Sequence, residues 1–317
     1  MPGRVAERRP ALEVGLAAVI VAVTDQEPRV LTVAEAPGEL AALPAGSLDP
    51  GSGLTLERAL RGWVSARAAL ELGYVEQLYT FGDPLRDPRA AARLLSIAYL
   101  ALLREGTLRD GGAGRWQPVY SFLPWEDQRE GPPALLAERL LPALQRWAGT
   151  ATEARARVRR RERVDIAFGR HGARWDPERV LERYELLYEA GFVEEALRAD
   201  GAGAAGAGVG APMAFDHRRM LATALGRLRG KIRYRPVVFE LLLAEFTLFQ
   251  LQRVVEALSG VGLHKQNFRR LVEGGGLVEA TGGHEPRTGG RPAALFRFRR
   301  EVLRERPAPG VGIPKSR

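Results

Sequence analysis

Thr247-Leu-Phe-Gln-Leu-Gln-Arg-Val-Val-Glu-Ala-Leu258, Ser259-Gly-Val-Gly-Leu263 and His264-Lys-Gln-Asn-Phe-Arg-Arg-Leu-Val272 follow one another without a break. The first stretch reads as a helix with Thr247 as its N-cap, because a threonine hydroxyl accepts from one of the amides the first turn leaves unpaired. Two glycines make the second a turn. Helical spacing resumes in the third. Phe268, Leu271 and Val272 stand at i, i+3 and i+4 and are expected to face a core. That leaves Lys265, Gln266, Asn267, Arg269 and Arg270 outward. Leu277–Thr281 and Ala294–Arg299 follow as apolar, strand-like segments on either side of Gly282–Pro292, which carries Arg287 and Arg291. Upstream, Asp216–Arg229 reads as a further helix.

The outward residues are of the types that read base edges: Arg and Lys suit guanine, Asn and Gln suit adenine. Their place at the start of the second helix of a pair suits entry into a major groove. A basic, Gly-rich tip between two strands suits phosphates. Helix, turn, polar-basic helix, strand, basic tip and strand resemble a winged helix-turn-helix. Lys265, Gln266, Asn267, Arg269, Arg270, Arg287 and Arg291 are its expected contacts to double-stranded DNA. The charge distribution agrees: from Phe215 onward there are 20 Lys and Arg against 9 Asp and Glu, and in the remainder 27 against 29. The whole excess behind the net charge of +9 therefore sits in the last third, as expected of a module that meets a polyanion.

With 317 residues, the chain has room for two or three domains. It has no cysteine, which excludes disulfide scaffolds, thiolate metal sites and cysteine nucleophiles. The four histidines (171, 217, 264 and 284) are scattered without an H-x-x-x-H pair, so no metal site or cofactor is expected. Val14–Val23 is about half a membrane span, and no cleavable leader is evident, so the expectation is a soluble cytoplasmic protein without a membrane partner, associated with the nucleoid through DNA.

The N-terminal half alternates differently. Val14–Thr24 and Arg29–Ala34 read as a strand pair. Leu43-Pro-Ala-Gly46 begins a loop that runs to Gly53, and Leu54–Leu70 follows as a helix. Tyr74–Phe81, Leu94–Leu103 and Val119–Pro124 read as strands, Ala134–Trp147 as a helix. This order, with Leu43-Pro-Ala-Gly46, Ala59-Leu-Arg-Gly-Trp-Val-Ser-Ala66 and the Tyr79–Arg89 stretch as it stands, resembles a Nudix domain over about residues 12–150. The resemblance implies an α/β/α sandwich. In a Nudix box, glutamates at i, i+3 and i+4 share one helix face and hold Mg²⁺ against a diphosphate. With Arg61 on the motif arginine, those positions are Gly62, Ser65 and Ala66, so the box has lost its carboxylates and no catalytic residue is assigned. Glu57 and Glu71 read as solvated helix charges. The Tyr79–Arg89 stretch resembles the loop of Nudix domains that handle ADP-ribose-like compounds. That makes Phe81, Asp83, Arg86, Asp87 and Arg89 the expected nucleotide contacts; the other reading of Asp83-Pro84 and Asp87-Pro88 is simply turn formation.

Asp216-His-Arg-Arg-Met-Leu-Ala-Thr-Ala-Leu225, Arg227-Leu-Arg-Gly-Lys-Ile-Arg-Tyr-Arg-Pro-Val-Val-Phe-Glu240, Phe246–Arg253, His264–Arg270 and Gly290-Arg-Pro-Ala293 together resemble the Nudix-related transcriptional regulators of NAD metabolism. The overall expectation is an α+β chain: a Nudix-like ligand-sensing domain over 12–150, an inserted Arg-rich helical segment and Gly/Ala linker over 151–214, a connector helix with the winged domain over 215–303, and a disordered tail over 304–317. Within the insert, Asp176–Ala199 reads as one helix with Pro177 at its first position. Family likeness implies a homodimeric repressor of NAD biosynthesis or salvage genes, bound to a palindromic operator and responsive to an ADP-ribose-like nucleotide. A divergent Nudix hydrolase and a non-specific nucleic-acid binder are the alternatives.

Overall fold

The computed structural model describes residues 12–34, 38–49, 51–68, 70–82, 93–105, 114–199, 208–285 and 292–312. The centre of the first domain is β1 (Leu12–Thr24), an almost unbroken apolar run. It pairs parallel with β5 (Arg93–Leu102) and antiparallel with β2 (Glu27–Val33) and β3 (Ala45–Ser47). β4 (Tyr74–Phe81) and β6 (Gly114–Pro118) complete a mixed sheet in the order β4-β5-β1-β2-β6. Such a run is what a strand covered on both faces requires. Leu16, Ala18 and Ile20 point to α1 (Leu56–Ala68), where Leu60 and Val64 meet them. Ala17, Val19 and Val21 point the other way, into the larger core shared with the rest of the chain. The fold is mixed α/β, with helices on both faces of the sheet as the Nudix resemblance implies.

Helices then dominate. α2 (Val119–Phe122) is a single turn, followed by a 3₁₀ turn at Pro124–Glu126. A π-helical turn (Leu136–Leu140) runs into α3 (Leu141–Gly149). The Arg-rich stretch forms α4 (Ala154–Phe168), and α5 (Val180–Glu189), α6 (Glu194–Ala199) and the long α7 (His217–Ile232) follow. The C-terminal part comprises β7 (Phe246–Thr247), α8 (Leu248–Ser259), α9 (Lys265–Gly274), β8 (Val278–Glu285), β9 (Ala293–Phe298) and the short α10 (Val302–Glu305). Its small sheet has the order β7-β9-β8.

Four expectations change. Val119–Pro124 is helical; the strand lies just before it, at Gly114–Pro118, where β6 pairs with β2. The helix expected over Asp176–Ala199 starts only at Val180 and breaks after Ala190, because Gly191 takes a φ of 73° that ends it. Leu271 is 39% exposed: only Phe268 and Val272, an i, i+4 pair, reach the core under α9. The segment after Glu305, expected to be disordered from 304 on, is described as far as Gly312 and buries Val311. Of the Gly/Ala linker, Val209 is buried and its amide donates to the Phe192 carbonyl at 2.9 Å, while residues 200–207 lie outside the described ones.

His217 shows how closely α7 is built into the first domain. It is buried, and its Nδ1 accepts from the Leu43 amide at 3.0 Å, in the loop that leads to α1. Burial pushes the imidazole down to about 4 from 6.5, so it is neutral in the folded protein. The folded state therefore resists a proton that the unfolded chain accepts below about pH 6.5. Stability supplied by the neutral ring is complete above that pH and falls as pH drops toward 4. Urea titrations are expected to show about 3 kcal/mol of such loss between pH 7 and 4. His217→Gln, which keeps an acceptor without the titration, is expected to flatten that part of the profile. An unchanged profile would contradict the assignment.

Candidate nucleic-acid interface and its anchorage

α8 and α9 form the helix pair. Thr247 caps α8 in a full capping box: its hydroxyl accepts from the Gln250 amide at 3.1 Å, and the Gln250 side chain accepts from the Thr247 amide at 2.7 Å. Gly260 ends α8 in the left-handed region, with φ 68°. The turn to α9 is held from within by Glu256, whose Oε1 accepts from the Leu263 amide and the Gln252 side chain, both at 2.9 Å. α9 packs Phe268 and Val272 inward and leaves Lys265, Gln266, Asn267, Arg269 and Arg270 exposed. Their one mutual contact is Arg270 Nη2 to Asn267 Oδ1, at 3.3 Å. β8 and β9 form the antiparallel ribbon, with a register irregularity between Ala280 and His284 where Gly282 takes a φ of 82°. Arg287 and Arg291 lie outside the described residues.

In the first domain the picture differs. Phe81 was expected to offer its ring to a base, yet it is buried. A bulge in β4 between Gln77 and Thr80 shifts the alternation, so Leu78 and Phe81, three apart, both turn into the core. The exposed ring of that strand is Tyr79, edge-on to Phe81 at 5.6 Å and itself 62% exposed. Over Phe81, at 5.5 Å, lies the guanidinium of Arg219 from α7, which also reaches Glu185 of α5 at 2.5 Å. Asp83, Arg86, Asp87 and Arg89 lie outside the described residues. Between β3 and α1 is a cavity of about 250 Å³ bordered by Gly46, Ser47, Asp49, Ser52, Gly62 and Trp63. Gly62, Ser65 and Ala66 are exposed on α1 without a carboxylate among them. Glu57 pairs with Arg61 at 2.9 Å, and Arg61 ties the helix to the Leu72 and Gly73 carbonyls.

The residues that join the two parts were not singled out from the sequence. Glu126, fully buried after α2, receives Arg183 of α5 on both carboxylate oxygens, at 2.6 and 2.9 Å, and Arg229 of α7 at 2.5 Å. Burial alone raises such a carboxyl; the two guanidinium groups outweigh it and hold Glu126 below the usual carboxylate range. Arg183 also donates to the Ala167 and Asp176 carbonyls at 3.0 and 2.9 Å. Arg229 donates to the Leu258 carbonyl in the last turn of α8 at 3.0 Å. Beside it, Tyr120 donates to the Ala257 carbonyl at 2.6 Å, burial pushing its phenol up and keeping the proton in place. The Gln128 amide donates to the Gly260 carbonyl at 2.7 Å. A side chain at Gly260 would collide with Arg229 and with the Glu126 carbonyl. The helix-turn-helix is thus gripped at its turn by the segment that follows the first domain's sheet. The signal in the sequence is an arginine on an apolar helical stripe: Arg183 among Val180, Tyr184 and Leu187, and Arg229 among Leu225, Leu228 and Ile232.

Comparison with known proteins agrees with this architecture. Residues 238–298 match the model of the NrtR DNA-binding winged helix domain. Over 86 residues the chain is 41% identical to the ADPR responsive transcriptional repressor NtrR of Acinetobacter baylyi, covering 27% of this chain and 34% of that protein. The chain thus spans about a third of the curated relative's length. NrtR of Shewanella oneidensis, solved in complex with a 27mer DNA, superposes with a TM-score of 0.55 at 22% identity, over 92% of this chain and 95% of that one. A MutT/nudix family protein from Enterococcus faecalis does so with a TM-score of 0.51 at 16% identity, over 94% and 89%. The fold is therefore a Nudix-like domain joined to a winged helix, and the winged helix is similar in sequence to that of NrtR.

Glu126→Gln removes the charge that both arginines share and is expected to lower stability by about 3–5 kcal/mol, the penalty for leaving buried cations uncompensated. Urea unfolding measures this. Hydrogen exchange of the Gly260 amide, which donates to the Glu256 carbonyl at 2.9 Å, is expected to quicken in the same variant. Unchanged protection there would show that the turn does not depend on the cluster.

Proposed function

We propose that this chain is a DNA-binding transcriptional regulator of the repressor type, with an N-terminal Nudix-like domain that senses an ADP-ribose-like nucleotide and a winged domain that reads a palindromic operator as a homodimer. The genes of NAD biosynthesis or salvage are the proposed targets. One observation carries the reading: α9 leaves five base-reading side chains exposed, on a winged helix similar to one described as DNA-binding. Recognition is assigned to Lys265, Gln266, Asn267, Arg269 and Arg270, and backbone positioning to Arg287 and Arg291. The likeness to a repressor described as ADPR responsive supports the effector. For that ligand we propose Asp83, Arg86, Asp87 and Arg89, with Tyr79 rather than the buried Phe81 as the ring on offer.

No carboxylate stands at Gly62, Ser65 or Ala66, and Glu57 is engaged by Arg61. We therefore propose that the first domain binds its nucleotide without hydrolysing it. The route from ligand to DNA runs through α7, which touches Phe81 through Arg219 and the end of α8 through Arg229. A ligand that favours one setting of α7 changes the separation of the two recognition helices in a dimer and so the fit to its half-sites.

The test is an anisotropy titration at fixed salt with duplexes from the chain's own upstream region and from NAD-gene promoters, with and without ADP-ribose. Sequence-selective binding weakened by the nucleotide is expected. Asn267→Ala is expected to lose about 1–3 kcal/mol of discrimination at one base position while non-specific binding stays the same. Binding without selectivity, or selectivity indifferent to the nucleotide, would overturn the regulator reading, and release of AMP from ADP-ribose with Mg²⁺ would replace it with a hydrolase.

A further inference from the structure

α4 is the part of the molecule that neither the sensing nor the reading role uses. Its sequence places Arg155, Arg157, Arg159, Arg160, Arg161 and Arg163 within nine residues, interrupted by a single acidic residue, Glu162. The buried side of the helix is short: Val164, Ala167 and Phe168 enter the core, and Arg160 lies on the Trp147 ring at 4.3 Å. Some other surface arginines, Arg163 of the same helix among them, find carboxylates. Arg163 reaches Glu189 at 2.6 Å, Arg179 reaches Glu182 at 2.5 Å and Arg233 reaches Glu178 at 2.6 Å. Arg155, Arg157, Arg159 and Arg161 are exposed, and their side chains have no hydrogen-bond or ion-pair partner among the described residues. Val158, in their midst, is 62% exposed.

Like charges at i and i+4, as in Arg155 with Arg159 and Arg157 with Arg161, oppose helix formation, and an external anion relieves the repulsion. The four arginines span about 9 Å of the helix axis, Arg155 with Arg159 on one side and Arg157 with Arg161 on the other. A DNA duplex carries one phosphate charge per about 1.7 Å of its length, so a helix segment of that length meets several phosphates. Guanidinium groups match phosphate oxygens in planar, two-pronged hydrogen bonds, which a scattered set of surface lysines does not. The far end of α4 is fixed relative to the reading unit. Its Ala167 carbonyl accepts from Arg183, which shares Glu126 with Arg229, which in turn holds the end of α8.

We infer that the exposed N-terminal half of α4 is a second DNA contact, which engages the phosphates of duplex flanking the operator. The inference rests on the regulator reading. It makes the chain's grip on DNA bipartite: α9 supplies sequence selectivity, and Arg155, Arg157, Arg159 and Arg161 add salt-sensitive, sequence-independent affinity.

The test compares the full-length chain with a variant carrying Arg155→Gln, Arg157→Gln, Arg159→Gln and Arg161→Gln. All four are exposed helix positions, and glutamine keeps the helix propensity. Each protein is titrated with a duplex of about 20 bp holding only the selected site and with one of about 60 bp holding that site at its centre, from low to moderate salt. The wild type is expected to bind the longer duplex at least tenfold more tightly, and the variant to bind both alike and as tightly as the wild type binds the short one. On the long duplex the slope of log K against log salt is expected to shrink by about 2–4 in the variant, close to 0.9 for each phosphate no longer neutralised. The corresponding lysine variant is expected to keep most of the flank-dependent gain. Selective binding whose affinity and salt slope are the same in wild type and variant at both lengths overturns this inference and leaves the regulator intact. Failure of the wild type to prefer any duplex overturns both.

Discussion

The carboxylate of Glu126 lies fully buried between the guanidinium groups of Arg183 and Arg229, and four separate parts of the chain converge on it. Glu126 follows the sheet of the first domain, Arg183 stands on α5, Arg229 on α7, and Arg229 also takes the Leu258 carbonyl at the end of α8. Charges removed from water are unfavourable unless every one is matched, and here the matching is nearly complete: Arg183 and Arg229 direct their remaining donors to the Ala167, Asp176, Pro177 and Glu126 carbonyls. The directional bonds make this cluster different from an apolar contact of the same size. An apolar interface tolerates a small slide; a carboxylate shared by two guanidinium forks does not.

The consequence is a winged helix whose turn belongs mechanically to the Nudix-like domain. Tyr120, Gln128 and Arg229 hold the Ala257, Gly260 and Leu258 carbonyls, so the orientation of α8, and with it α9, follows whatever α2 and α7 do. α7 is equally bound on its other side. His217 accepts from Leu43, Lys231 meets Tyr74 and Glu76 of β4, and Arg218, fully buried, joins Glu195 with the Val209 and Ala211 carbonyls. A long helix anchored in this way at both ends suits the coupling that the proposed ligand-controlled regulator needs.

Much of this was legible one segment at a time. The strand pair at the start, the helix after Leu-Pro-Ala-Gly, β4 over Tyr74–Phe81 and the two helices of the reading unit follow from period and punctuation alone. Thr247 with Gln250 three residues later is a local device and acts locally. The misreadings have particular causes. Phe81 sits three residues from Leu78 on the same face because a bulge interrupts the strand's period of two, and a bulge has no composition of its own. The break after Ala190 was written in Gly191 but hidden by apolar spacing on both sides.

The sequence by itself determined the elements, the polar and basic side chains that α9 turns outward and the concentration of charge in the last third. Tertiary structure decided which arginines are surface charge and which are joints. Arg183 and Arg229 stand 57 and 103 residues from Glu126, and nothing local marks the three as partners. The same residue type, at Arg155, Arg157, Arg159 and Arg161, stays in solvent instead. The difference is physical. A guanidinium is buried only where a distant part of the chain brings a carboxylate and carbonyls to meet it, and that meeting exists only once the domains have packed.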